Sequence, residues 1–274
     1  MAYEMSVEKY LARIGYKGGL EPSAVNLAAL QKAHLMSVPY ENLDLYFHIE
    51  TTLALPEVYD KIVNRHRGGY CFELNGLFGW LLRQLGYKTE EYFGRWLLGE
   101  SIPVPQRRHR IINVAIGDKR YIADVGIGRK CPLTPLEFVC DMPQNREGVN
   151  YRIVKDPALF NVVQAEHADG YASMFSFDEA PQENVDFTYP HFYCSHYPQS
   201  PFLTKIMVFL NTANGRNSFS TSVDPQTGAV LPMLSVGQPG GGNDESFIYS
   251  AAQLSQCLKQ YFGIEIDVPE KFHC

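Results

Sequence analysis

The sequence predicts an α+β fold in which helices come first and strands follow. Three observations carry that expectation. Apolar residues recur at helical spacing over roughly the first ninety positions, the apolar period shortens toward two from Tyr87 onward, and no regular helix–strand alternation of a parallel α/β sheet is present. The chain has 274 residues, 45% of them apolar and 20% charged, which is ordinary globular composition and excludes a disordered chain. That length suits one large unit or two to three small ones.

The helical part opens at Ser6, a suitable cap for a short helix carrying Val7, Tyr10, Leu11 and Ile14 and ending at Gly15. A second helix is expected over 22–36, with Val25, Leu27, Leu30, His34 and Leu35 before Pro39 breaks the pattern, and a third from about Pro56 to Arg65. The clearest helix starts at Cys71: Leu74, Leu77, Phe78, Leu81, Leu82 and Leu85 keep helical spacing and Gly86 stands at the stop. Strands are expected over 91–97, 110–116, 120–125, 151–154, 160–164 and 173–178. A Pro-rich stretch with Pro190, Pro198 and Pro201 comes next. Beyond it lie strands over 205–210, 218–223 and 229–234, a Gly-rich loop at 237–243 and a last helix near 251–262.

Charge and cysteine usage narrow the function classes. Lys and Arg number 24 against 30 Asp and Glu, a net charge of −6, which argues against a general nucleic-acid binder but not against a local basic pocket. No run approaches the length of apolar residues that a membrane span needs, so no membrane partner is expected. The N-terminus MAYEMSVEKY lacks a basic flank followed by an apolar run, and the six cysteines contain no CxxC. Neither a metal site nor a disulfide framework is expected, and a reducing cytoplasm fits.

The most informative segment is RGGYCFELN at 67–75. Two glycines ahead of a strong helix permit a tight approach and place Cys71 in the first turn, where unpaired N–H groups and the positive dipole end favour a thiolate. Arg67 is near enough in sequence to add positive charge. The competing reading is a core cysteine on the stripe of Leu74, Leu77 and Phe78. A base is needed to go further, and His109 is a candidate. A two-residue turn at Gly117 and Asp118 pairs Ile116 with Lys119, which puts Asp124 opposite Ile111 and makes His109 its diagonal neighbour on one face. A one-residue slip would separate them. Taken singly, His109 reads as a surface residue and Asp124 as a turn residue; together with Cys71 they supply nucleophile, base and orienting carboxylate.

These blocks resemble the arylamine N-acetyltransferases: RGGYCFELN, His109 ahead of an apolar strand, and YIADVG at 121–126, supported by VPYENL at 38–43 and YCSHYPQSPF at 193–202. The resemblance implies an N-terminal helical bundle, a central β-barrel and a C-terminal α/β lid around a cysteine-protease-like Cys-His-Asp core, with divisions at 1–86, 87–190 and 191–274. It implies that Cys71, His109 and Asp124 carry an acetyl group from acetyl-CoA to an arylamine or hydrazine. Gly126, Ile127, Gly128, Tyr193, Gln199 and Ser200 match coenzyme A contacts, and Tyr40, Ile127 and Phe202 match the apolar acceptor pocket. Arg129 is a further candidate for the phosphates, and Arg13 and Glu41 match positions that tie the bundle together. Two rival readings stay open: a Cys-His-Asp hydrolase, and a binding module that kept the fold without the reaction.

Overall fold

The structure, a computed structural model, describes residues 4–128 and 131–270. The Ser6 hydroxyl accepts from the Lys9 amide to start α1 (Val7–Arg13), and Gly15 follows with φ +64°. Ser23 caps α2 (Ala24–Ser37) in the same way, accepting from the Asn26 amide. A two-residue strand β1 (Tyr40–Glu41) and the short α3 (Leu43–Tyr46) come next. The third expected helix is α4 (Leu55–Tyr59) running into one widened turn over Asp60–Asn64. Then comes α5 (Cys71–Gln84), whose first turn is tied by the Glu73 carboxylate accepting from the Tyr70 amide at 3.0 Å. The Arg13 guanidinium donates to the carbonyls of Ser37 (2.7 Å) and Ile62 (3.0 Å), joining α1 to the end of α2 and to the widened turn.

Eight antiparallel strands form the central sheet: β2 (Lys88–Trp96), β3 (His109–Ile116), β4 (Lys119–Ala123), β5 (Leu136–Glu137), β6 (Gln144–Arg146), β7 (Val149–Asp156), β8 (Phe160–His167) and β9 (Gly170–Pro181). Their order is β5-β4-β3-β2-β9-β8-β7-β6. The two ends nearly meet. The Gln144 amide donates to the Glu137 carbonyl (2.7 Å) and accepts from the Glu137 amide (2.8 Å), and Arg146 donates to the Pro135 carbonyl at 3.1 Å. The sheet is therefore a nearly closed barrel, its edges bridged by side chains. Buried residues of α1, α2, α4 and α5 share one core with Ile111, Ile112, Val114, Val163 and Phe175 from the strands.

The Pro-rich stretch holds two short helices. After a tight turn at Asn184–Phe187 come α6 (Thr188–His196) and α7 (Pro201–Thr204). Pro190 sits in the first turn of α6 and Pro201 opens α7, positions where a missing N–H breaks no helical bond. The chain ends with β10 (Val208–Thr212), β11 (Gly215–Val223), β12 (Val230–Gly237), β13 (Asn243–Phe247) and α8 (Ala251–Phe262). The second sheet has the order β1-β10-β11-β12-β13, so Tyr40 and Glu41 from the helical region belong to the C-terminal sheet, with Tyr40 opposite Phe209. Likewise α6 runs across residue 190. Among the described residues no helix is long and apolar enough to cross a membrane.

Candidate active site

Cys71 is the first residue of α5 and is only 2% exposed. The two glycines before it let the chain press against β1. A Cβ on Gly68 would run into the Pro39 carbonyl oxygen, and the Gly69 carbonyl accepts from the Glu41 amide at 2.8 Å. Beneath the helix start lies a buried ionic cluster. Arg67 donates to Glu41 (2.8 Å) and Asp44 (2.7 Å), while Lys61 contacts Asp44 (2.7 Å) and Glu73 (2.8 Å). The guanidinium that sequence proximity offered to Cys71 is thus engaged by two carboxylates, and it serves the chain path into α5.

The β3–β4 hairpin has the expected register, from Ile116↔Lys119 to Ile112↔Ala123. It brings His109 Nε2 to 2.6 Å from Asp124 Oδ2. The other carboxylate oxygen, Oδ1, accepts from Asn75 Nδ2 and from the Gly126 amide, both at 2.8 Å. Asn75 lies one helical turn beyond Cys71 and also accepts from the Val125 amide at 2.8 Å and donates to the Arg110 carbonyl at 2.6 Å. It locks α5 to the hairpin end. Gln31 accepts from the Asp124 amide at 3.1 Å. Gly126 passes so close to the helix start that a Cβ there would stand 2.7 Å from Cys71 Cα. His109 and Asp124 are each 3% exposed, and the rings of Phe175 and Trp96 flank the imidazole at 5.4 and 6.1 Å.

The Cys71 thiol donates to the Arg108 carbonyl at 3.6 Å, and His109 lines the same cleft. Burial pushes the Cys71 thiol up, while the hydrogen bond and charge of His109 pull it down. Enclosure therefore works against the thiolate that the helix start favours. For His109, burial acts to lower the pKa, but Asp124, followed by Cys71, raises it to about 10.

These groups lie on the wall of a cleft of about 210 Å³. Of the residues singled out from the sequence, Tyr40, Gly126, Ile127, Gly128 and Phe202 line it beside Cys71 and His109. Tyr193, Gln199 and Ser200 are not in its lining. Tyr193 stacks on Tyr197 with ring centroids 4.7 Å apart, Gln199 is exposed and accepts from the Tyr197 hydroxyl, and the Ser200 hydroxyl donates to the Cys194 carbonyl at 2.6 Å. Arg129 lies outside the described residues. Among the described residues no group of His, Cys, Asp or Glu is placed to hold a metal ion.

A family model described as N-acetyltransferase matches residues 24–271. The arylamine N-acetyltransferase of Escherichia coli (strain K12) is 33% identical over 258 residues, covering 94% of this chain and 88% of that relative. The chain belongs to the arylamine N-acetyltransferase family. Solved structures agree: the arylamine N-acetyltransferase from M. tuberculosis superposes with a TM-score of 0.83 at 30% identity, covering 94% of each chain. The Mycobacterium marinum arylamine N-acetyltransferase in complex with CoA gives a TM-score of 0.81 at 28% identity, covering 94% of this chain and 93% of that one.

Several features of this acetyltransferase escaped sequence reasoning. Trp96, Phe209, Glu100, Arg108 and Lys205 also line the cleft. Phe209 is delivered by the β1–β10 pairing, for which a two-residue strand leaves no sequence signal. Asn75 did carry one, its helical spacing from Cys71 inside the most informative segment.

Proposed function

We propose that Cys71 carries the acetyl group between acetyl-CoA and an arylamine or hydrazine, with His109 as proton partner and Asp124 as the residue that orients it. The observation that carries this reading is the 2.6 Å contact of His109 Nε2 with Asp124, which commits one ring nitrogen and leaves Nδ1 for the sulfur at the cleft wall. The imidazole already holds the thiol proton, the state that the raised pKa of His109 favours, and the Cys71 thiolate attacks the thioester carbonyl. A C–S bond forms, the coenzyme A sulfur leaves, and the imidazolium returns the proton to it. One thioester replaces another, so the acetyl group stays activated. The amine then attacks acetyl-Cys71, His109 accepts the amine proton and the Cys71 sulfur departs. Amides at the start of α5 are placed to hold the tetrahedral oxyanion, each good donor being worth about 3 kcal/mol.

The loop Gly126, Ile127 and Gly128 borders the donor's pantetheine arm in this reading, and Tyr40, Ile127 and Phe202 form the apolar wall for the acceptor. The chain divides into a helical bundle, a barrel bearing His109 and Asp124, and a lid built on the second sheet. The irregular cysteine spacing supports a cytoplasmic enzyme. Incubation with acetyl-CoA alone tests the reading. Intact mass is expected to show one acetyl group on Cys71, absent in Cys71→Ala and discharged on adding an arylamine. No adduct, or hydrolysis that an arylamine does not divert, would overturn it.

A further inference from the structure

Three charged side chains, Glu100, Arg108 and Lys205, line the cleft that holds Cys71, and the first two are largely withdrawn from water, which is costly unless the charge is used. Arg108 immediately precedes His109, and its backbone carbonyl is the group 3.6 Å from Cys71 Sγ. Its side chain therefore starts from the wall of the reaction centre. That side chain is 9% exposed and is ion-paired with Glu100, which is 26% exposed. Glu100 comes from the turn after β2, where its amide donates to the Leu97 carbonyl at 3.1 Å and Gly99 has φ +78°. On the same cleft, Lys205 is exposed and has no ion pair among the described residues. Two cations thus stand with a single carboxylate on a cleft that Tyr40, Trp96, Phe202 and Phe209 also line.

A guanidinium presents a planar fork of donors that matches a carboxylate two bonds at a time, and Glu100 shows that Arg108 already holds one. A ligand carboxylate that took its place would exchange like for like. No buried charge is left unpaired, because Arg108 keeps an anion and Glu100, on a turn with a glycine before it, returns to water. A neutral arylamine gains nothing from this exchange, and a cationic one meets Arg108 and Lys205. We infer that Arg108 is an acceptor-specificity residue that takes the carboxylate of an aromatic amine bearing one across the ring, so that amino-aromatic acids are favoured over neutral arylamines. The inference rests on the acetyl-cysteine reading above.

The test compares kcat/KM for 4-aminobenzoate and for 4-methoxyaniline, in the wild type, Arg108→Gln and Glu100→Gln. In a ping-pong reaction the acceptor's kcat/KM reports the second half-reaction alone, and differences in intrinsic nucleophilicity cancel when each variant's substrate ratio is divided by that of the wild type. The ratio of carboxylated to neutral amine is expected to fall by about tenfold or more in Arg108→Gln, the loss of one charge-assisted contact, and to rise several-fold in Glu100→Gln, where Arg108 is released. A ratio within about twofold of wild type in both variants overturns the inference. So does an unchanged ratio accompanied by a fall in kcat/KM for acetyl-CoA, which would assign Arg108 to the donor's phosphates. Should Arg108→Gln fail to fold, Glu100→Gln alone decides by the same ratio. Acetylation of Cys71 by acetyl-CoA needs no acceptor, so a wild-type adduct with unchanged ratios removes this inference and leaves the earlier one standing.

Discussion

Replacing Asp124 by Asn keeps the size of the side chain and inverts its chemistry. The carboxylate accepts three hydrogen bonds, from His109 Nε2, Asn75 Nδ2 and the Gly126 amide. An amide has one acceptor oxygen and one donor nitrogen, so a donor must face a donor in either orientation. If the nitrogen turns to His109, Nε2 has to accept and the proton moves to Nδ1, the nitrogen that must receive the thiol proton. If it turns the other way, Asn75 and Gly126 lose their acceptor at the point where α5 is tied to the hairpin. The wrong tautomer is expected to slow Cys71 acetylation by about 10³–10⁴-fold, and a buried unsatisfied pair to cost roughly 1–3 kcal/mol. The pH dependence adds a second reading. His109 has its pKa raised to about 10 against ~6.5 ordinarily, so it contributes stability that is fully present below about pH 6.5 and is lost as pH rises through about 10. Asp124 is the largest upward influence on it. The melting temperature of Asp124→Asn is therefore expected to fall furthest below wild type near pH 6, by several degrees or more, and the gap to narrow toward pH 10. Intact-mass time courses with acetyl-CoA give the rate and thermal melts across pH give the stability. Acetylation within tenfold of wild type, or a gap that does not change with pH, would refute the role given to this carboxylate.

Three further outcomes follow from contacts already described. Gly126→Ala places a methyl 2.7 Å from Cys71 Cα and 2.9 Å from its Cβ, so it is expected to cost about 1–3 kcal/mol and to slow acetylation at least about tenfold; a wild-type rate would show that the loop yields freely. Arg67→Met leaves Glu41 without its guanidinium partner and Asp44 with Lys61 alone, and a denaturant midpoint lowered by the equivalent of about 3–5 kcal/mol is expected, whereas an unchanged midpoint would mean that the cluster contributes nothing net. Acetyl-CoA is expected to slow alkylation of Cys71 by iodoacetamide, read by peptide mass; equal labelling with and without it would place the donor elsewhere.

Much of the fold was legible because its signals are local. Ser6 and Ser23 cap helices by bonding amides three residues on, and the apolar spacing after Cys71 predicts α5 nearly to its end. The hairpin turn at Gly117 sets the β3–β4 register over four further pairs. What failed lacked such a signal. The strand β13 is polar and exposed along almost its whole length, so no alternation marks it. No helix is expected near 190–201, where Pro190 and Pro201 occupy helix starts, the positions where proline costs least.

The site divides along the same line, and the division has a chemical consequence. Cys71, His109 and Asp124 can be reasoned together because one sits at a helix start and the other two share a hairpin, leaving a single non-local contact to be supplied. Asn75 supplies it, bonding Asp124 and the backbone at Arg110 and Val125 from one turn past Cys71. The opposite wall has no such shortcut. Tyr40 reaches the sulfur because Gly68 lets the chain press on Pro39 and because the Gly69 carbonyl holds the Glu41 amide, and Phe209 reaches Tyr40 only through pairing between segments far apart in sequence. Arg67, four residues before Cys71 in sequence, is engaged instead by Glu41 and Asp44. Cys71, His109 and Asp124 are thus held by a helix start, one hairpin and the Asn75 contact, whereas the wall of Tyr40 and Phe209 is fixed by long-range strand pairing. If Arg108 and Glu100 set acceptor preference as inferred above, that preference would vary by side chains that make no bond to the His109–Asp124 pair.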